Sequence, residues 1–207
     1  MSFLANPSGR LVHYSRANGK MTVLVDKLMF ANGVALSPAE DFIVVSDLGR
    51  SRLLRVWLKD GQVEVFADGL PGVGDNLTAD KKGFWVALPL AIDPENPSII
   101  HSFASKPYLR KMMARMFSLV ELLMDGIEKV YPNTYSKSFK GIPKATTSSY
   151  IPPRCTVLRF DWDGKIIAAY HSFEHGSYTH VMELDGFLYL GSFTNNFIAK
   201  VARQNHL

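Results

Sequence analysis

Cysteine is nearly absent: the 207-residue chain has one, Cys155. A single thiol excludes an internal disulfide and any cysteine-based metal cluster. At the head of an apolar stretch it reads as a small core residue. No run reaches the ~18 apolar residues of a membrane-crossing helix. The first residues, Met1-Ser2-Phe3-Leu4-Ala5-Asn6-Pro7, lack the charged start and apolar centre of a signal peptide. Neither a signal nor a membrane segment is therefore expected. Charge of one sign is also scarce: 23 Lys and Arg stand against 19 Asp and Glu, a net +4. The basic excess lies mostly before residue 60 and in 106–115. It is too mild and scattered for a nucleic-acid surface, so no nucleic-acid partner is expected. Zinc-finger spacing, a Gly-rich phosphate loop and a Gly-x-Ser-x-Gly elbow are missing as well.

What is present is apolar and repetitive. Hydrophobic residues make up 47%, enough for a folded core. Ala31-Asn32-Gly33-Val34-Ala35-Leu36-Ser37-Pro38 enters a short buried strand through an Asn-Gly corner, and Phe42-Ile43-Val44-Val45-Ser46-Asp47 makes a second. The unit returns at Asp75-Asn76-Leu77-Thr78-Ala79-Asp80 and Phe84-Trp85-Val86-Ala87-Leu88, with Asn32 and Asp75 43 positions apart. A weaker copy, Gly186 to Ser192, matches Gly83 to Leu88. Recurrence at roughly 40–50 residues is the period of a β-propeller blade.

Alternation and turn signals predict strands at 11–14 and 22–25, then 31–36, 42–47, 53–58 and 63–66, the last pair joined by Asp60-Gly61. Further strands are expected at 75–79, 84–88, 156–160 and 166–170, then 179–183, 187–192 and 197–201. Grouped two, four, four and three, they give an all-β, incomplete ring of about three to three and a half blades. Known propellers close with about four to eight blades. The expectation is one partial propeller domain over 1–207, completed by missing N-terminal blades or by another chain.

The rhythm breaks between residues 89 and 153. Pro107 suits a first helical turn. Leu109, Met112, Met113, Met116, Phe117, Val120, Leu123 and Met124 recur at helical spacing, which predicts a helix from Pro107 to Lys129. Tyr131 to Pro153, rich in Pro, Ser, Thr and Lys, reads as loop. The insertion joins the second and third strands of its blade, on the face where Asn32 and Asp75 enter. Three roles are open for it: a lid over the channel mouth, packing on its own blade, or a basic amphipathic contact with a membrane surface.

Asn32, Asp75 and Asn76 stand at the starts of inner strands. Their amide and carboxylate oxygens are the hard ligands Ca²⁺ takes. Read without the repeat, the same dipeptides are ordinary turn residues. Asn76-Leu77-Thr78 is a glycosylation sequon, discounted because a buried strand start is inaccessible. His171, His175 and His180 gather around Glu174 in what reads as a loop, without the two-on-one-helix-face spacing of zinc proteases. His180 is the one placed to face the channel.

Several stretches together resemble the strictosidine-synthase-like propellers, and among them the adipocyte plasma membrane-associated, hemomucin-like branch. They are Asn32 to Phe42, Gly72-Val73-Gly74-Asp75-Asn76, Gly83-Phe84-Trp85-Val86, Lys106-Pro107-Tyr108-Leu109-Arg110 and Leu184 to Phe193. The similarity covers nearly the whole chain and is weakest from Pro132 to Tyr150. The strictosidine synthase conserved region is expected at about 30–110. The resemblance implies a six-bladed propeller, at the endomembrane or plasma membrane with the propeller lumenal or extracellular. In calcium-dependent paraoxonase-like and lactonase relatives, the Asn-Gly asparagine and the Asp-Asn pair bind the catalytic metal. These map onto Asn32, Asp75 and Asn76, with further ligands coming from earlier blades.

The resemblance thus implies an arylesterase or lactonase-type hydrolase acting on a small apolar ester or lactone, with Asp75 as candidate catalytic base. The alternative is a non-catalytic membrane or cell-surface binding propeller. A strictosidine-synthase-type Pictet–Spengler lyase is disfavoured. Its glutamate falls in this chain at Tyr178-Thr179-His180, which has no carboxylate.

Overall fold

The computed structural model describes residues 7–93, 106–132 and 154–203. Contacts divide the chain into two units: Pro7–Pro97 with Pro152–Leu207, and Met1–Asn6 with Ser98–Ile151.

Apart from a short 3-10 turn at Leu48–Arg50, the regular structure described in the first unit is antiparallel sheet. Its strands are β1 (Gly9–Tyr14), β2 (Met21–Leu28), β3 (Ala31–Leu36), β4 (Phe42–Asp47), β5 (Arg52–Trp57) and β6 (Val63–Ala67). They continue with β7 (Leu77–Asp80), β8 (Gly83–Leu88), β9 (Cys155–Phe160), β10 (Ile166–Ser172), β11 (Tyr178–Leu184), β12 (Phe187–Ser192) and β13 (Ala199–Ala202). Four sheets form, with strand orders β1-β2, β3-β4-β5-β6, β7-β8-β9-β10 and β11-β12-β13. The two-four-four-three grouping expected from the repeat is thus present among the described residues. Gly83–Leu88 and Phe187–Ser192, matched in sequence, are both second strands of their sheets.

Strand alternation explains why the sheets stack. Every residue of β8 is buried. Phe84, Val86 and Leu88 enter one core with Phe42, Val44 and Leu53 of the preceding sheet. Trp85 turns the other way, into a core with Tyr178, Val181, Leu188 and Leu190 of the following sheet. β9 divides likewise: Leu158 and Phe160 join the first core, Cys155 and Val157 the second. A third core sets Leu11 and Leu28 against Val45, Leu54 and Val56. A strand buried on both faces reads as a continuous apolar run, which is how 84–88 looks in the sequence. Each of the two four-stranded meanders is therefore sandwiched between neighbours.

The inner strands also touch. Gly33 N donates to Asp75 O at 3.2 Å, and Asn76 N donates to Thr179 O at 3.3 Å. First strands meeting at the inner edge, with successive sheets packed face to face, are the radial plan of a propeller. The unit is an incomplete propeller.

In the second unit, α1 (Pro107–Val130) has Pro107 in its first turn and Lys129 in its last. The expected loop half of the insertion, from residue 133 to Pro153, lies outside the described residues. At the stem, Leu88 pairs with Thr156 across β8 and β9, and Arg154 pairs with Asp93 at 3.1 Å.

Candidate functional site

Asn32 reaches the site through a break in register. Ala31 pairs with Asp47 and Val34 with Val45, so two residues of β3, Asn32 and Gly33, face one of β4, Ser46. A bulge of this kind re-aims a side chain at a strand end. Gly33 makes it sterically feasible. A Cβ there would lie 2.4 Å from Asp75 O and 2.5 Å from Leu77 N. Only glycine lets β3 and the entry to β7 approach this closely.

Asp75 is fixed from behind. Its N–H donates to Ala87 O at 2.9 Å, and Ser46 Oγ donates to the carbonyl of Gly74 at 2.6 Å. Ser46 is fully buried at the end of β4. Beside it, the buried carboxylate of Asp47 accepts from Met29 N and pairs with Arg50 and Arg52 at 2.9 Å each. The ends of β3 and β4 are thereby locked on the face where the corners enter.

The two corners meet. Asn32 Nδ2 donates to Asp75 Oδ1 at 2.5 Å. Both residues, and Asn76, are half-buried. Burial raises the Asp75 carboxyl above its ordinary value of 3.8, and the Asn32 amide opposes that shift. Asn76 turns to the next inner strand, its Nδ2 donating to Thr179 O at 2.8 Å. Two residues further along, Thr78 Oγ1 and His180 Nε2 are 3.1 Å apart. Asn32 and Asp75 thus form a direct pair, while Asn76 joins the line through its own contact to β11.

The donor chemistry fits a hard cation in part. Asn32 Oδ1, Asp75 Oδ2 and Asn76 Oδ1 each keep an acceptor oxygen outside these hydrogen bonds. Three oxygens are about half of the six to eight that Ca²⁺ takes. Among the described residues no group of three His, Cys, Asp or Glu could hold a metal. Any such site would rest on amide oxygens and further ligands.

The histidine cluster dissolves. His171 lies in β10 rather than a loop, with its Nδ1 2.9 Å from Thr156 Oγ1. His175 packs edge-on against Phe197 with centroids 5.3 Å apart. Only His180 stands on an inner strand. Glu183 accepts from Trp85 Nε1 at 3.1 Å and pairs with Arg203, so its carboxylate has a structural task. Sequence reasoning missed Ser46, Thr78 and Thr179. Ser46 carried a signal, since a serine beside Asp47 in an apolar strand needs a buried partner. The Thr78–His180 contact, 102 residues apart in the chain, had none.

The family model for strictosidine synthase matches residues 2–61. It overlaps the motif-based region of about 30–110 only in its first part. The chain is 46% identical over 204 residues to adipocyte plasma membrane-associated protein Hemomucin of Drosophila melanogaster, covering 95% of this chain and 35% of that protein. It is 30% identical to the mouse (Mus musculus) adipocyte plasma membrane-associated protein, covering 97% of this chain and 44% of that one. Among solved structures, a calcium-binding protein, regucalcin, from Agrobacterium tumefaciens is similar at TM-score 0.47 and 16% identity. That match covers 93% of this chain and 48% of the other.

The chain belongs to the strictosidine-synthase-like propellers. Within them it is a relative of the adipocyte plasma membrane-associated proteins, and it spans less than half the length of those named.

Proposed function

We propose that this chain is part of a calcium-dependent hydrolase of the arylesterase or lactonase type, acting on small apolar esters or lactones once the ring is complete. The observation that carries this reading is the meeting of two oxygen-bearing corners from neighbouring inner strands, Asn32 with Asp75. Asn32, Asp75 and Asn76 would hold the ion together with ligands from further blades. When bound, Ca²⁺ supplies Lewis-acid polarisation of an ester carbonyl.

The chain's own residues supply the rest. The bulge at Asn32-Gly33 and the Ser46 hydrogen bond fix two of the oxygen donors before any ligand arrives, so little ordering is needed on binding. Asp75 is the candidate base for an attacking water. Asn32 orients that carboxylate and leaves Oδ2 for the work.

The test is metal content and phenyl acetate turnover of a chain carrying the full ring, against the same chain with Asn32→Ala or Asp75→Asn. Stoichiometric calcium and turnover, both lost in the variants, are expected. Full activity in Asn32→Ala would remove the metal-site reading.

A second reading is a non-catalytic binding propeller at a membrane or cell surface. It is favoured by the Asn32–Asp75 hydrogen bond itself, which also serves simply to clasp two strand starts, and by the names of the relatives. Metal-free protein without turnover would select it. Lyase chemistry has the least support: the start of β11 has no carboxylate, and Glu183 is tied to Trp85 and Arg203.

A further inference from the structure

The helix α1 is apolar on more than one side. Leu109, Met113, Phe117 and Met124 are half-buried, and Arg110 between them is buried. The periodicity in the sequence placed Met112, Met116 and Leu123 with them, yet these are exposed. At 3.6 residues per turn they lie about a quarter turn round the helix. There Tyr108, Met112, Met116, Leu119, Leu123 and Val130 form one exposed stripe; Tyr108 is 85% and Val130 87% accessible. An apolar stripe of this length on the surface marks an interaction site.

Charge decides the occupant. Lys111, Arg115 and Lys129 border the stripe along one side by the same helical period, and among the described residues none of the three is held in an ion pair. Glu121 and Glu128 fall on the other half of the helix, and Asp125 lies beyond the row of cations. A shallow groove of about 450 Å³ is lined jointly by Tyr108, Lys111, Met112, Arg115, Met116 and Leu119. Apolar and cationic groups therefore present together, free of acids. The helix has 24 residues, about 36 Å at 1.5 Å per residue. Among the described residues no helix is apolar enough to cross a membrane. A long helix with an apolar stripe, a cationic border and too much charge to insert lies in the plane of a lipid surface.

We infer that α1 docks on an anionic lipid surface. Its stripe enters the acyl boundary, and Lys111, Arg115 and Lys129 engage lipid headgroups. Each cation near such a surface is worth roughly fivefold in affinity. The inference stands apart from the proposed hydrolysis, because it uses no residue of the inner-strand site.

The test is sedimentation of the 207-residue chain with vesicles of phosphatidylcholine alone and of phosphatidylcholine and phosphatidylserine in equal parts. Wild type is expected to bind the mixed vesicles well and the zwitterionic ones poorly. The double variant Lys111→Glu/Arg115→Glu should lose at least about 25-fold. Met116→Asp/Leu119→Asp should abolish binding with an unchanged circular dichroism spectrum, since all four positions are exposed. The wild-type chain gives a readout free of variants: 1 M salt, which shortens the screening length to about 3 Å, should weaken the association.

Equal binding to both vesicle types, or binding unchanged in both double variants, overturns the inference. No vesicle binding, with a concentration-dependent dimer lost in Leu119→Asp, assigns the stripe to a second copy instead.

Discussion

Asp75 is half-buried, and its surroundings favour the neutral carboxyl. Its carboxyl is raised above 3.8 by desolvation, so the folded state holds its proton to higher pH than the unfolded chain does. The stability linked to this group is complete below the ordinary value and is lost as pH rises through the raised one. In the presence of a chelator, Asp75→Asn should melt at a higher temperature than wild type at neutral pH. The gap should close in acid, where both side chains are uncharged. Added Ca²⁺ should stabilise wild type and leave the variant unmoved; thermal melts with and without the ion check both.

Cys155 gives a simpler outcome. Burial pushes its thiol up to about 11, and the side chain is 3% accessible. A thiolate is the reactive form. A disulfide-exchange reagent should label nothing in the native chain and one thiol after unfolding in denaturant.

The elements were legible to different degrees, for physical reasons. The β8 residues 84–88 and the β4 residues 42–47 stood out because burial on both faces demands unbroken apolar runs. Asn32 and Asp75 were found through repetition, and the contact between them follows from neighbouring strand starts. What could not be read was the partner across a sheet boundary. Trp85 with Glu183, or Thr78 with His180, depends on which sheets stack, which alternation within one strand does not encode. The helix was placed by its Pro107 start, but its periodicity failed to separate two apolar sides, since Met and Leu serve both equally.

At this scale Gly33 is the sharpest probe. Gly33→Ala puts a methyl against Asp75 O and Leu77 N, parting β3 from β7. Overpacking of this kind costs about 1–3 kcal/mol. The variant should unfold at lower denaturant and lose whatever calcium affinity the corner has, although no donor atom is removed. Phe84→Ala opens an aromatic cluster in which Phe84 meets Phe66, Phe160 and Trp162 and stacks on Phe160 with centroids 5.6 Å apart. It should cost about 3–5 kcal/mol without touching the corner. Denaturation curves and calcium titrations on the two variants separate packing from site geometry.

Across the whole molecule, the two outermost sheets each carry an apolar side that no described neighbour covers. On β1 and β2, Val12 pairs with Val23 and Tyr14 with Met21, and all four are exposed. On the last sheet Met182 and Leu184, on the face away from Val181 and Leu188, are exposed. Side chains of this type normally pack against an adjoining sheet. The chain alone should therefore self-associate and bind a hydrophobic dye. Met21→Lys with Val23→Lys should reduce both, measured by sedimentation velocity and dye fluorescence.

The stem of the insertion points the other way. Leu88 and Thr156 lie side by side, and the Asp93–Arg154 pair closes the gap just above them. Both contacts lie within the sheet unit, which closes the neck of the insertion by itself. Replacing residues 98–151 with a short glycine-serine bridge should leave the strand signal in circular dichroism intact. Attachments at that neck can be exchanged like tools on one handle, and descendants of this architecture are free to change where they sit in a cell without recutting their spokes.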